Sequence, residues 1–132
     1  VEYPYSIESA IWWVEEGSHK NPTWAIIADS KVVGCIGIVP GVLDAAHSAE
    51  LGYWLGKPYW GAGYATLAVA KVTRNAFRKG NISRLTAGVF HPNVASMRVL
   101  EKCGYVLEGI FENAYRKHGQ YFNKHQYAIV RS

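Results

Sequence analysis

Cysteine is scarce in this chain: Cys35 and Cys103 are the only two, and they lie far apart. No Cys/His spacing resembles a zinc site, so no metal is expected. Cys35 falls inside an apolar strand pattern and Cys103 at the end of a helical one, so both are expected as buried, reduced thiols of an intracellular protein. The Asn81-Ile82-Ser83 sequon is too short a match to outweigh that reading. No apolar stretch is long enough to span a bilayer, and no signal-peptide pattern opens the chain. These absences point to a cytoplasmic protein without a membrane partner. Runs of like charge are missing too. The 14 Lys and Arg are scattered, and no basic stripe or helix-turn-helix pattern concentrates the formal charge of +4, so nucleic acid is not an expected partner. No Ser-His-Asp or Cys-His arrangement for covalent catalysis is visible.

What is present fits one filled core. The chain has 132 residues, 49% of them hydrophobic, which predicts a single domain over residues 1–132. Five Trp and nine Tyr suggest an interior or groove lined with rings. The mildly basic balance, with a pI near 9.1, suits a small anionic ligand.

Ser6 reads as an N-cap, with Ile7, Ala10, Ile11 and Val14 at helical spacing and Gly17 as a stop, which predicts a first helix. Two β-branched runs, Trp24–Ala28 and Val32–Val39, flank a short polar turn and predict a hairpin. After a loop from Pro40 to Ala46, His47–Leu55 reads as a strand with Glu50, Gly52 and Trp54 on one face and Leu51, Tyr53 and Leu55 on the other. Ala65, Val69, Val72 and Ala76 then form a helical stripe ended by Gly80. Arg84–Phe90 is a further strand. Asn93 caps a helix from Val94 to Lys102, and Gly104 stops it. Tyr105–Phe111 and Tyr121–Val130 read as two strands around a polar connection that contains His118-Gly119-Gln120. A strand, helix and strand in mid-chain imply a right-handed crossover, hence an α/β or α+β class with a mixed sheet.

The most informative stretch is Tyr59–Thr66, reading Tyr-Trp-Gly-Ala-Gly-Tyr-Ala-Thr between a strand and a helix. Glycines there let the backbone approach a ligand, and the helix start offers unpaired N–H groups at its positive end. The result is a backbone cradle for a phosphate-sized anion. No Gly-Lys-Ser/Thr follows, so the turn is not a nucleotide P-loop.

This turn, Asn93-Val94-Ala95-Ser96 and Glu101-Lys102-Cys103-Gly104-Tyr105 together resemble the GNAT superfamily of N-acetyltransferases. The branch they resemble contains ribosomal-protein N-terminal and spermidine acetyltransferases. Gly63 and Ala65 meet the last two fixed positions of the family's pyrophosphate signature, and Trp60 stands at the first. The resemblance implies a mostly antiparallel twisted sheet with a splayed central strand pair and flanking helices. Family chains open with one more strand and helix than this sequence displays, so either the chain is an N-terminally truncated fragment or a first strand and helix are absent from it.

By the same resemblance the cofactor is acetyl-CoA. Trp60 begins its pyrophosphate site, the backbone N–H groups of Gly61, Ala62, Gly63, Tyr64 and Ala65 hold the pyrophosphate, and Thr66 adds a hydroxyl. The edge of Tyr53, Trp54 and Leu55 pairs with pantetheine, and an N–H near Trp54 or Leu55 polarises the thioester. Asn93 reads either as a pure cap or as a cofactor contact as well. Leu100 occupies the position where many relatives carry a proton-donating Tyr. Ser96 is therefore the candidate proton donor or thiolate partner, against a reading as a helix-surface hydroxyl. Glu50 is the first choice for the base, with His47, Glu108 and Glu112 in reserve. Leu67 replaces a Glu common in this branch, and Asn123 replaces the Asp of a Tyr-x-Asp pattern, which leaves the acceptor open. With ten acidic residues and no carboxylate cluster, a peptide N-terminus or a small amine fits better than a polyamine. A monomer or homodimer is expected. The rival is a non-catalytic acyl-CoA-binding module of the same fold.

Overall fold

A computed structural model describes residues 11–14, 22–28, 30–91 and 93–131. In chain order the elements are β1 (Ile11–Val14), β2 (Thr23–Ala28), β3 (Lys31–Pro40), β4 (Ser48–Leu55), α1 (Tyr64–Arg78), β5 (Arg84–Phe90), α2 (Val94–Lys102), β6 (Val106–Lys117) and β7 (Gln120–Val130). Among the described residues the strands form one seven-stranded sheet in the order β1-β2-β3-β4-β5-β7-β6. Every neighbouring pair is antiparallel except β4 and β5, which α1 connects as a crossover. The expected mixed, mostly antiparallel sheet is observed.

Two expectations are corrected. Ile11 and Val14 were to lie on a helix, yet Ile11–Val14 is a strand whose backbone runs antiparallel to β2, from Ile11↔Ile26 to Val14↔Thr23. Ile-Trp-Trp-Val is a run of β-branched and aromatic residues, and an available sheet edge outweighs their helical spacing. The remainder of that helix, Ser6 to Ala10 and on to Gly17, lies outside the described residues. The polar connection after Phe111 is also shorter than expected. β6 and β7 continue to a two-residue turn, His118-Gly119, with φ of +53° and +77°. That geometry is the type I′ turn that suits a twisted hairpin.

The core lies on one face of the sheet. Ile36, Ile38, Leu51, Leu85, Ala87, Val89 and Tyr127 are buried against Ala68, Val69, Val72 and Ala76 of α1 and Leu100 of α2. Each buried Val or Leu contributes roughly 1.5–3 kcal/mol. α2 starts at Asn93, whose side-chain oxygen accepts from the Ser96 N–H at 3.2 Å. Thr73 of α1 and Tyr105 share a buried hydroxyl–hydroxyl bond of 2.7 Å, and burial raises the Tyr105 phenol to about 12. Gly34 must be glycine, because a Cβ there would collide with the Trp54 carbonyl of β4. Cys35 corrects a further expectation. It is free but exposed, because its register partner is Trp54 on the face opposite the helices.

The parallel pair is brief. β4 and β5 are in register only at Ser48↔Arg84, Ala49↔Leu85 and Glu50↔Thr86. Beyond Glu50 and Thr86 the strands separate, and the remaining β4 residues pair with β3 alone. The gap this leaves is the expected splay.

Candidate active site

The splay opens into a groove of about 370 Å³. Its walls come from β4, the glycine turn, the first turn of α1 and one side of α2. Tyr53, Trp54, Leu55, Trp60, Gly61, Gly63, Tyr64, Ala65, Thr66, Asn93 and Ser96 all line it, so eleven of the twelve expected cofactor residues are brought together. Ala62 sits in the same turn without lining the groove.

The turn earns its shape from glycine. Gly61 and Gly63 adopt φ of +80° and +88°, a region that costs other residues roughly 1–2 kcal/mol. Gly63 is the N-cap of α1, with no side-chain cap and no acidic residue in the first turn. No acidic side chain of that first turn offsets the positive helix end, as suits an anion site. A Cβ at Gly61 would meet no atom within 4 Å, so its missing side chain leaves open space beside the turn. The Trp60 indole N–H donates to the Leu55 carbonyl at 2.7 Å and pins the turn to the end of β4.

The groove has two chemically different ends. At one, the Cys103 thiol donates to the Thr66 carbonyl at 3.3 Å, which brings the C-terminal end of α2 against the first turn of α1. Lys102 lines the groove there, and Arg98 lines it one turn earlier. Burial raises the Cys103 thiol, so it stays protonated in this position. At the other end, the Tyr53 and Ser96 hydroxyls lie 2.8 Å apart and join β4 to α2. Burial pushes the Tyr53 phenol up; the Ser96 hydrogen bond opposes this, and Cys103 adds a smaller upward contribution. Ser96 and Lys102 are six residues apart, roughly 9 Å along the helix. A ligand with phosphates at one end and a reactive group at the other matches this polarity.

Other expected residues stand apart. Glu50 is exposed on the face opposite the helices and does not line the groove, although it marks the last paired level before the splay. Glu108 is bound by Arg84 through two contacts of 2.6 and 2.7 Å, and that guanidinium holds its carboxyl below the usual range, which makes it a poor base. His47 lies in the turn before β4, where its carbonyl accepts from the Ser83 N–H. Glu112 is an exposed residue of β6. Leu100 is wholly buried, and Leu67 is at the surface of α1. Asn123 accepts from the Asn113 N–H at 3.0 Å beside an irregularity in β6. Ala95, Arg98, Val99 and Lys102 were missed. The i, i+4 spacing of Arg98 and Lys102 was the available signal.

Residues 2–106 match the family model described as acetyltransferase (GNAT) domain. The chain is 34% identical over 103 residues to the probable N-acetyltransferase YjcK of Bacillus subtilis, covering 78% of this chain and 57% of that protein. It spans less than two thirds of the length of this and other curated relatives that it matches. The solved structure of a GNAT-family acetyltransferase from Streptococcus pneumoniae superposes with a TM-score of 0.81 at 23% identity, over 88% of this chain and 70% of that one. The microcin C7 self-immunity acetyltransferase MccE, solved with acetyl-CoA and AMP, superposes with a TM-score of 0.77 at 26% identity, over 88% and 64%.

Proposed function

The chain belongs to the GNAT acetyltransferase family, and from that membership we propose an acyl-CoA-dependent N-acetyltransferase that moves an acetyl group from acetyl-CoA to a primary amine. The observation that carries this reading is the two-ended groove, cationic and amide-rich at the glycine turn and hydroxyl-lined at the splay. Acetyl-CoA supplies the acetyl group as a thioester, already activated for attack by an amine. The main chain from Gly61 to Thr66 holds its pyrophosphate, with Arg98 and Lys102 adding charge at that end. Tyr53, Trp54 and Leu55 have no register partner on β5, and the main-chain groups of this edge other than the Leu55 carbonyl, which Trp60 takes, are offered to an amide-bearing chain. An N–H near Trp54 or Leu55 donates to the carbonyl oxygen as negative charge develops there. Asn93 caps α2 and keeps Ser96 at the groove wall.

Ser96 donates its hydroxyl proton, or a hydrogen bond, to the departing sulfur, and Tyr53 positions that hydroxyl. Glu50 removes the proton from the acceptor ammonium, directly or through water, because an amine attacks only when neutral. Its place at the last level before the strands part supports this role. Trp60 in the turn and the Asn93-x-x-Ser96 helix start support the ribosomal-protein and spermidine acetyltransferase branch, in a single domain over residues 1–132. A cytoplasmic monomer or homodimer acting on a peptide or small amine completes the proposal. The rival acyl-CoA-binding module draws support from Leu100, which the core occupies, and from Asn123, whose side-chain oxygen is committed to Asn113.

CoA release by the full-length protein, measured across a panel of peptides and amines, separates the two. Release above the acceptor-free background supports the enzyme. CoA binding without turnover on any acceptor, together with an unaltered Glu50→Gln variant, supports the binding module.

A further inference from the structure

On the face opposite the helices, the lip of the gap between β4 and β5 carries a cation. Lys124 pairs with Phe90 at the end of β5, and its side chain returns along that strand across Gly88. A Cβ at Gly88 would collide with the Lys124 Cε and stand 3.3 Å from Nζ. Gly88 is two residues beyond Thr86, the last residue of β5 in register with β4. The ammonium therefore stands where the strands have just parted. It is steadied by the Phe111 ring, 5.7 Å from Nζ to the centroid, and it has no ion-pair partner among the described residues. Arg84, a cation of β5 on this face, is already neutralised by Glu108.

From this geometry, and resting on the acetyltransferase reading above, we propose that Lys124 selects the acceptor, an amine whose own molecule carries an acidic group near the nitrogen. With the groove on the helix side, the amine arrives on the face that the described helices leave uncovered, past Lys124. Glu50 and Lys124 then present one carboxylate and one ammonium on the same face. The backbone levels they mark are two strand residues apart, roughly 7 Å. A zwitterionic acceptor satisfies both charges, whereas a polycation meets Lys124 with like charge. Gly88 belongs to the same device, because its missing side chain is what lets Lys124 lie at the lip.

The test offers the full-length protein, saturated with acetyl-CoA, matched tripeptide amides, Ser-Glu-Gly, Ser-Gln-Gly and Ser-Lys-Gly, and the small pair 4-aminobutyrate and butylamine. The acidic member of each set is expected to exceed its neutral partner by about fivefold in kcat/KM, the upper range for a partly exposed ion pair. Comparing the peptide and small-molecule sets shows which source supplies the acid. Lys124→Met brings the acidic-to-neutral ratio to about one, and Lys124→Arg keeps it. Gly88→Val lowers the ratio with Lys124 intact. Titration of Ser-Glu-Gly amide into the CoA-bound protein gives the same contrast as about a fivefold change in Kd. Equal use of all acceptors, a ratio unmoved in Lys124→Met, or no binding of any acidic acceptor to the CoA-bound protein overturns the inference alone. Absence of CoA binding overturns the acetyltransferase reading with it.

Discussion

Replacing Gly63 with Asp separates the ligand site from the fold. Gly63 caps α1 at φ +88°, so any side chain there incurs roughly 1–2 kcal/mol of backbone strain. An aspartate there recovers roughly 0.3–1 kcal/mol from the helix dipole, without the side-chain cap that needs extended backbone at this position. The folded protein should therefore lose no more than about 2 kcal/mol. The ligand fares differently. A carboxylate placed about 4 Å from one phosphate charge is repelled by about 4 kcal/mol at an effective dielectric of 20, about a thousandfold in Kd. Acetyl-CoA at 100 times its Kd stabilises the native protein by about 2.7 kcal/mol, and at a tenth of Kd by less than about 0.1. In thermal unfolding, the native sequence should gain roughly 10 °C with acetyl-CoA and Gly63→Asp should gain nothing. Gly80→Asp is the control, since Gly80 has φ +91° with open space around its Cβ position at the far end of α1. It should keep the full ligand-induced shift. A Gly63→Asp protein that still responds to acetyl-CoA would refute the anion-cradle argument.

Ser96→Ala should reduce kcat by about a hundredfold while leaving CoA affinity within about threefold, measured by steady-state kinetics and calorimetry. Tyr53→Phe removes the 2.8 Å bond between β4 and α2 and should cost about 1 kcal/mol of stability in urea titration. Because burial raises the Tyr53 phenol, its ionisation should contribute no limb to the pH–rate profile below its ordinary value near 10. Arg98→Ala and Lys102→Ala should each weaken CoA about two- to fivefold at low salt, with the difference fading at about 0.5 M NaCl by calorimetry. Glu108 is held below the ordinary carboxylate range by Arg84. Its contribution to stability is therefore present above that range and lost as pH falls through its folded pKa. Arg84→Met should flatten that acid limb in urea midpoints between pH 7 and pH 3.

The parts of the fold written in local pattern were legible. β5 spans its predicted residues, and α2 carries the ends its sequence predicts because Asn93 and Gly104 punctuate it by capping and sterics. The crossover and the splay followed from order and resemblance. Ile11–Val14 was misread because four residues satisfy both periods, and the choice lies in a backbone partner 15 residues away at Ile26. Cys35 was misplaced because an apolar strand pattern does not say which face a helix will cover. At the site, backbone-built features were readable from glycine and helix position. Arg98 and Lys102 offered only their i, i+4 spacing and Lys124 no pattern at all, and each acquires meaning only where the chain brings it beside a groove or a gap. Glu50 was placed on its face correctly, but the distance from the groove is a tertiary property.

The most direct test of the central claim is a crystal structure of the full-length protein with CoA. The account predicts density for the pyrophosphate within hydrogen-bonding distance of the N–H groups from Gly61 to Thr66, and the sulfur at the Tyr53–Ser96 end of the groove. Density for CoA in the opposite direction, or bound away from the glycine turn, would contradict it.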